Sequence, residues 1–210
     1  MFATNSPGLP ERAIELSMPV VMAPVSTAFV ALQTPGRRIV LASDGVYVEA
    51  RSPALHVVQR ISCVSLPFGA VPPALGVQLA GGPIPSQFLA LARKAALAAH
   101  PDEMAVTIHW SAENGYVLRT PPQRRSGGSV TYDDTGTDET TLVVDIHSHG
   151  HHDARFSPTD DFSDRSRIGP HIAVVYGACE SSESVDLSAR VCAGTYLVSL
   201  AVEELMELVA

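Results

Sequence analysis

The chain has 210 residues, 46% of them hydrophobic, which is enough to bury a sizeable core. It carries 22 acidic against 14 basic residues, a net charge of -8, and its basic pairs, Arg124 and Arg125 among them, are isolated from one another in sequence. That balance excludes a dedicated nucleic-acid surface, which needs clustered lysine and arginine.

The apolar run MPVVMAPVSTAFVAL from Met18 contains two prolines, follows Glu11 and Glu15, and lacks a cationic leader. Neither a signal peptide nor a membrane span is expected there. Short β-branched runs then alternate with turns: IVLA (39–42), VYVEA (46–50) and HVVQRISCVSL (56–66) predict strands. Residues 1–80 are therefore expected to form a small, mainly β unit. The Pro/Gly-rich stretch 67–85 is the expected boundary, with a second domain over 84–210.

Ser86 follows Pro85 at the position of an N-cap, and apolar residues at 88, 91, 92, 95 and 99 predict a helix over 86–99 with that face buried. MAVTIHW (104–110) and YVLRT (116–120), separated by Ser-Ala-Glu-Asn-Gly, predict a hairpin. Residues 121–140 are polar and aperiodic, too long for a turn, and read as a mobile loop or flap. TLVVDIH (141–147) is a nearly continuous apolar strand, and a helix is expected to start near 158, after Ser157 and Pro158. HIAVVYG (171–177), VDLSARVC (185–192) and TYLVSL (195–200) predict further strands, and AVEELMELV predicts a closing helix. Three cysteines without paired spacing, Cys63, Cys179 and Cys192, predict reduced, mostly buried thiols in a cytoplasmic protein.

The densest chemistry lies in HSHGHHDARFSPTDD, residues 147–161. His147 and His149 are two apart, so on an extended strand they project from one face and can chelate one ion. Asp160, in the first turn of the following helix, can swing back as a third ligand, leaving a fourth position open as catalytic zinc sites do. Asp145 shares the face but precedes the strand end, and reads as a partner that orients a histidine or as a packing anomaly rather than as a ligand. His151, His152 and Asp153 read as solvated loop residues, because consecutive side chains of an extended loop diverge.

The spacing discriminates among zinc hydrolases. A metallo-β-lactamase pattern would need aspartate where His151 stands, and barrel amidohydrolases place their HxH on an early strand of a far longer chain. HxHx7SxxD, from His147 through Ser157 to Asp160, resembles the JAMM (MPN+) metalloprotease family. The resemblance implies an α/β fold, JAMM/MPN-like and cytidine-deaminase-like, with a curved mixed sheet flanked by helices. It also implies one Zn2+ per chain held by His147, His149 and Asp160, with Glu103 as the general base and Ser157 as the hydroxyl facing the oxyanion. Gly150, where the wider family has proline, is expected to loosen the loop.

More narrowly, DIHSHGHHDARFSPTDDFSDRSRIGPHIAVVYG is similar to a component of the PRTRC cassette, a ParB-related and ThiF-related bacterial system. That similarity implies a ubiquitin-like or sulfur-carrier protein and a ThiF-like activating enzyme as partners. A scaffold that has lost catalysis and a zinc amidase acting on small molecules stand as alternatives to a peptidase or isopeptidase.

Overall fold

The computed structural model describes residues 9–210, in which β-rich segments organise into two main sheets and a separate hairpin. Helix α1 (Leu9–Ser17) precedes a five-stranded sheet of β1 (Val20–Met22), β2 (Gly36–Ala42), β3 (Gly45–Arg51), β4 (Leu55–Ser62) and β5 (Val77–Leu79), in that order. The β2–β3–β4 meander matches the expected runs. The Pro/Gly-rich stretch, read as a boundary, contributes β5, which pairs with β4 through Leu55, His56 and Val57.

The second sheet holds β6 (Ala105–Ser111), β7 (Gly115–Arg119), β10 (Leu142–Ser148), β11 (His171–Gly177), β12 (Asp186–Ala193) and β13 (Tyr196–Leu200), in the order β13-β12-β11-β10-β6-β7. Only β10 and β11 run parallel within it, and α3 (Pro158–Ser166) is part of the connection between them. Helix α2 (Ser86–Ala99) has the expected span, although Pro85 occupies the N-cap and Ser86 is already helical. Its buried face is Leu89, Ala92 and Ala96, rotated from the predicted one, so that Leu91 is exposed. The closing helix α4 (Val202–Glu207) ends where Ala210 and Leu208 exchange backbone hydrogen bonds with Ile84 and Ser86.

Strand alternation divides the second sheet into two unlike faces. Val106, Ile108, Val144, Ile146, Ile172, Val174 and Val191 face the core with α2. Directly across one another on the other face lie Thr107, Asp145, Ala173 and Arg190, and in the next row Ala105, His147, Val175 and Ser188. The apolar cluster behind the first of these faces also takes in Leu55 and Val57 of the five-stranded sheet and Ala54 of the turn before β4.

Residues 121–140 are more ordered than a loop. They form the hairpin β8 (Gln123–Ser126) and β9 (Ser129–Tyr132), turned by Gly127 and Gly128, and lead into a 3-10 turn at Glu139–Thr141. The Gly-Gly turn is a hairpin signal that the polar, solvent-facing flanks obscure. Of the cysteines, Cys179 and Cys192 are buried and Cys63 is exposed. No helix among the described residues is long and apolar enough to cross a membrane.

The five-stranded sheet encloses a charge network. Glu49 is fully buried and accepts hydrogen bonds from Arg38 Nε (2.6 Å) and the Leu32 backbone (2.6 Å), with His56 Nε2 at 2.9 Å. Burial pushes its carboxyl up, but the bonds from His56, Leu32 and Arg38 outweigh it and hold the carboxyl below the usual 4.5. A carboxylate with a depressed folded pKa stabilises the fold above its unfolded pKa, and the stabilisation is lost as pH falls through the folded value. Glu49→Gln should therefore cost about 3–5 kcal/mol at neutral pH by stranding its partners. Urea midpoints taken at pH 7 and pH 4 check this, with the gap between variant and wild type narrowing in acid.

Candidate metal centre

Strand β10 delivers His147 at its end and His149 one residue past it. The backbone around His149 is tied down by hydrogen bonds from His149 N–H to Tyr176 O, Ala178 N–H to His152 O and Cys179 N–H to Gly150 O, each 2.8 Å. Gly150 does not loosen this loop. It is buried at φ +54°, a conformation that proline cannot adopt, and a Cβ there would come within 2.5 Å of the Pro101 carbonyl. Glycine is what lets the histidine loop approach the turn preceding Glu103.

Asp160 is placed by its own helix. Ser157 caps α3: its hydroxyl accepts from Asp160 N–H (3.3 Å), and the Asp160 carboxylate accepts from Ser157 N–H (2.6 Å). The same carboxylate turns toward the histidines, with Oδ1 3.2 Å from His147 Nε2 and Oδ2 3.4 Å from His149 Nε2. The two Nε2 atoms are 3.0 Å apart. In a tetrahedral site with bonds of about 2.0 Å, ligand atoms lie about 3.3 Å from one another, so these three donors fit a zinc-sized cation.

Electrostatics agree with the geometry. Burial pushes Asp160 up, yet the hydrogen bonds from His147 and His149 hold it well below the usual carboxylate range. Burial pushes His149 down, and Asp160 and Glu103 more than offset this. Glu103 is 7% exposed and lines the same cleft, of about 880 Å3. Its carboxyl is raised by burial and by Asp160 and only partly relieved by His149 and His147. Ser157 lines the cleft too, and the cap uses its hydroxyl as an acceptor, leaving the O–H free to donate. All five motif residues thus converge on one cleft.

Asp145 holds no histidine. Its carboxylate accepts from Tyr132 of β9 (2.6 Å) and from Arg167 Nη2 (2.7 Å). Arg167, just past α3, also bonds Asp134, Glu139 Oε1 (3.3 Å) and the Tyr132 hydroxyl (2.5 Å), tying the hairpin region to the sheet. The loop histidine His151 pairs with Glu180 at 3.0 Å and meets His100 edge-on, an arrangement on the solvated rim.

A second group of ligand-capable side chains, Asp164, His171 and Cys192, lies buried beneath α3. Arg190 already occupies it, donating from Nε (2.8 Å) and Nη2 (2.6 Å) to Asp164 Oδ2, which also receives Cys192 Sγ (3.4 Å). A cation beside that guanidinium would be repelled, so the cluster works as a lock between α3 and β12. Neither Arg190 nor Arg167 announces itself in sequence. Aspartates at 145 and 164, on elements with a buried face, were the available sign that a cation had to be nearby.

No curated protein matches this sequence. Residues 10–78 match a domain of unknown function, DUF2016, and residues 85–190 match the prokaryotic homologs of the JAB domain. The second match spans half of the chain, including α2, Glu103, both histidines and Asp160, and the chain belongs to this family of prokaryotic JAB homologs, which is related to the JAMM metalloproteases.

Proposed function

We propose that the chain is a zinc-dependent peptidase or isopeptidase. The carrying observation is the convergence of His147, His149 and Asp160 at ligand-to-ligand distances of 3.0 to 3.4 Å beside a buried glutamate that is not among the three. Zinc bound there would supply Lewis-acid chemistry, lowering the pKa of a water toward roughly 7. Glu103 takes the proton of the attacking water and returns it to the leaving amine nitrogen. Ser157 donates its free O–H to the carbonyl oxygen as negative charge builds on it. The capping box keeps both Ser157 and Asp160 in place while this happens.

The substrate we propose is the extended tail of a ubiquitin-like or sulfur-carrier protein, with a ThiF-like activating enzyme as a partner in a PRTRC-type cassette. The similarity of residues 145–177 to that system supports this, as does a cleft bordered by β9, where an extended segment could add as a strand.

Elemental analysis of protein purified without added metal tests the site. About one zinc per chain is expected in the wild type and little in His149→Ala, since two ligands hold zinc far more weakly than three. Mass spectrometry of a co-encoded ubiquitin-like protein then tests the reaction. A metal-free wild type, even after reconstitution, would favour the scaffold. Turnover of short amides with indifference to the carrier protein would favour the small-molecule amidase.

A further inference from the structure

Glu103 enters the cleft from the short stretch between α2 and β6, and three consecutive backbone positions there are held by other parts of the chain. Glu103 N–H donates to the Ser126 carbonyl at the end of β8 (2.9 Å). Met104 N–H donates to the Ser148 hydroxyl (3.0 Å), and its carbonyl accepts from Ser148 N–H (2.9 Å), between the two histidine ligands. Ala105 N–H donates to Gln123 Oε1 (2.9 Å), and its carbonyl accepts from Gln123 Nε2 (3.0 Å).

The last of these has a cause in the register. β6 pairs with β7 such that Thr107 faces Arg119, and continuing the pattern would set Pro121 opposite Ala105. Proline has no N–H to offer and β7 has ended, which would leave the edge at Ala105 unpaired. The Gln123 carboxamide supplies one donor and one acceptor in the geometry of a missing strand. Gln123 in turn faces Tyr132 across the hairpin, and Tyr132 is the residue that Arg167 and Asp145 grip.

We infer that Gln123 is a positioning residue for Glu103: its carboxamide replaces the absent strand partner of Ala105 and ties the general base to the hairpin walling the cleft. The role assigned to Glu103 rests on the function proposed above, whereas the tie itself does not. Whatever orders or displaces β8–β9 therefore also sets where the Glu103 carboxylate stands, and Tyr132 with Arg167 keeps the hairpin in the arrangement that supports it.

Amide hydrogen exchange, resolved residue by residue by NMR, tests the tie in Gln123→Ala and wild type. The amides of Glu103 and Ala105 should exchange about tenfold faster in the variant, the loss of roughly one net hydrogen bond. Those of Met104 and Ser148 should keep their protection, and zinc content should not change. Unchanged exchange at 103 and 105, or equal loosening at 104 and 148, would overturn the inference. Kinetics on an internally quenched peptide form the second arm: Gln123→Ala should lower kcat by about tenfold with KM within about twofold, and cause no further loss in a Glu103→Gln background. A full further loss in that background would also overturn it. A wild type without turnover counts against the peptidase reading, and the exchange pattern then decides on the tie by itself.

Discussion

Glu103→Gln is expected to retain about one zinc per chain and to lose turnover by about 10²- to 10⁴-fold, the range that a positioned proton acceptor contributes. The retained metal follows from the ligand set: His147, His149 and Asp160 converge without the glutamate. The lost turnover follows from chemistry, since the carboxamide fills the same space but cannot take a proton. Glu103 also suits the task electrostatically, because burial raises its carboxyl and makes it a better base than a solvated glutamate. Zinc stoichiometry beside kcat/KM on one preparation checks both halves. Loss of metal would make Glu103 a ligand, and turnover near that of the wild type would remove it from the reaction.

Arg190→Ala is expected to cost about 3–5 kcal/mol of stability, because it leaves the Asp164 carboxylate buried without its countercharge. Arg190 joins β12 to α3 and to the loop before it. It bonds Asp164 twice, reaches Asp161 Oδ1 at 2.6 Å, and lies 3.8 Å from the centre of the Phe156 ring, which meets His147 edge-on. His171 Nε2 completes the enclosure at 3.3 Å from Asp164 Oδ1. Asp164 stands one turn beyond Asp160 on α3, so releasing it frees the helix that positions Asp160 beside the two histidines. The urea midpoint should fall and zinc should bind more weakly. Arg190→Lys, which keeps the charge but not the fork, should lose less stability while still weakening zinc, which separates positioning from collapse.

The residues of the candidate site were legible because chemistry restricts them to a few types at fixed spacing. Two histidines two apart on a strand read directly as a shared face, Glu103 and Ser157 stand out only through the family resemblance, and the capping box of Ser157 with Asp160 appears only in the fold. What orients those residues was not legible. Arg167, Arg190 and Gln123 act over 18 to 35 positions of sequence on partners that the fold brings near. No local pattern marks such contacts, and a lone arginine reads as solvated until its carboxylates are known. The hairpin at 123–132 was missed for a related reason: its strands lack the apolar alternation that burial on one face produces. The rotated face of α2 shows the limit of periodicity itself, because alanines at 92, 95, 96 and 99 allow several faces and only the neighbouring sheet selects among them.

Leu55, Val57 and Ala54 sit among the apolar side chains packed behind the sheet that carries His147, although they belong to the segment that matches a different family. The line between the two families, near residue 80, is thus a line in sequence and not in the interior. A fragment begun at that line would carry an uncovered apolar surface where these residues had been, the kind of surface that makes proteins self-associate. Inactivity of such a fragment would report on its solubility before it reported on its chemistry. The two matched segments share one interior, and the segment that matches the JAB homologs is best handled with its neighbour attached.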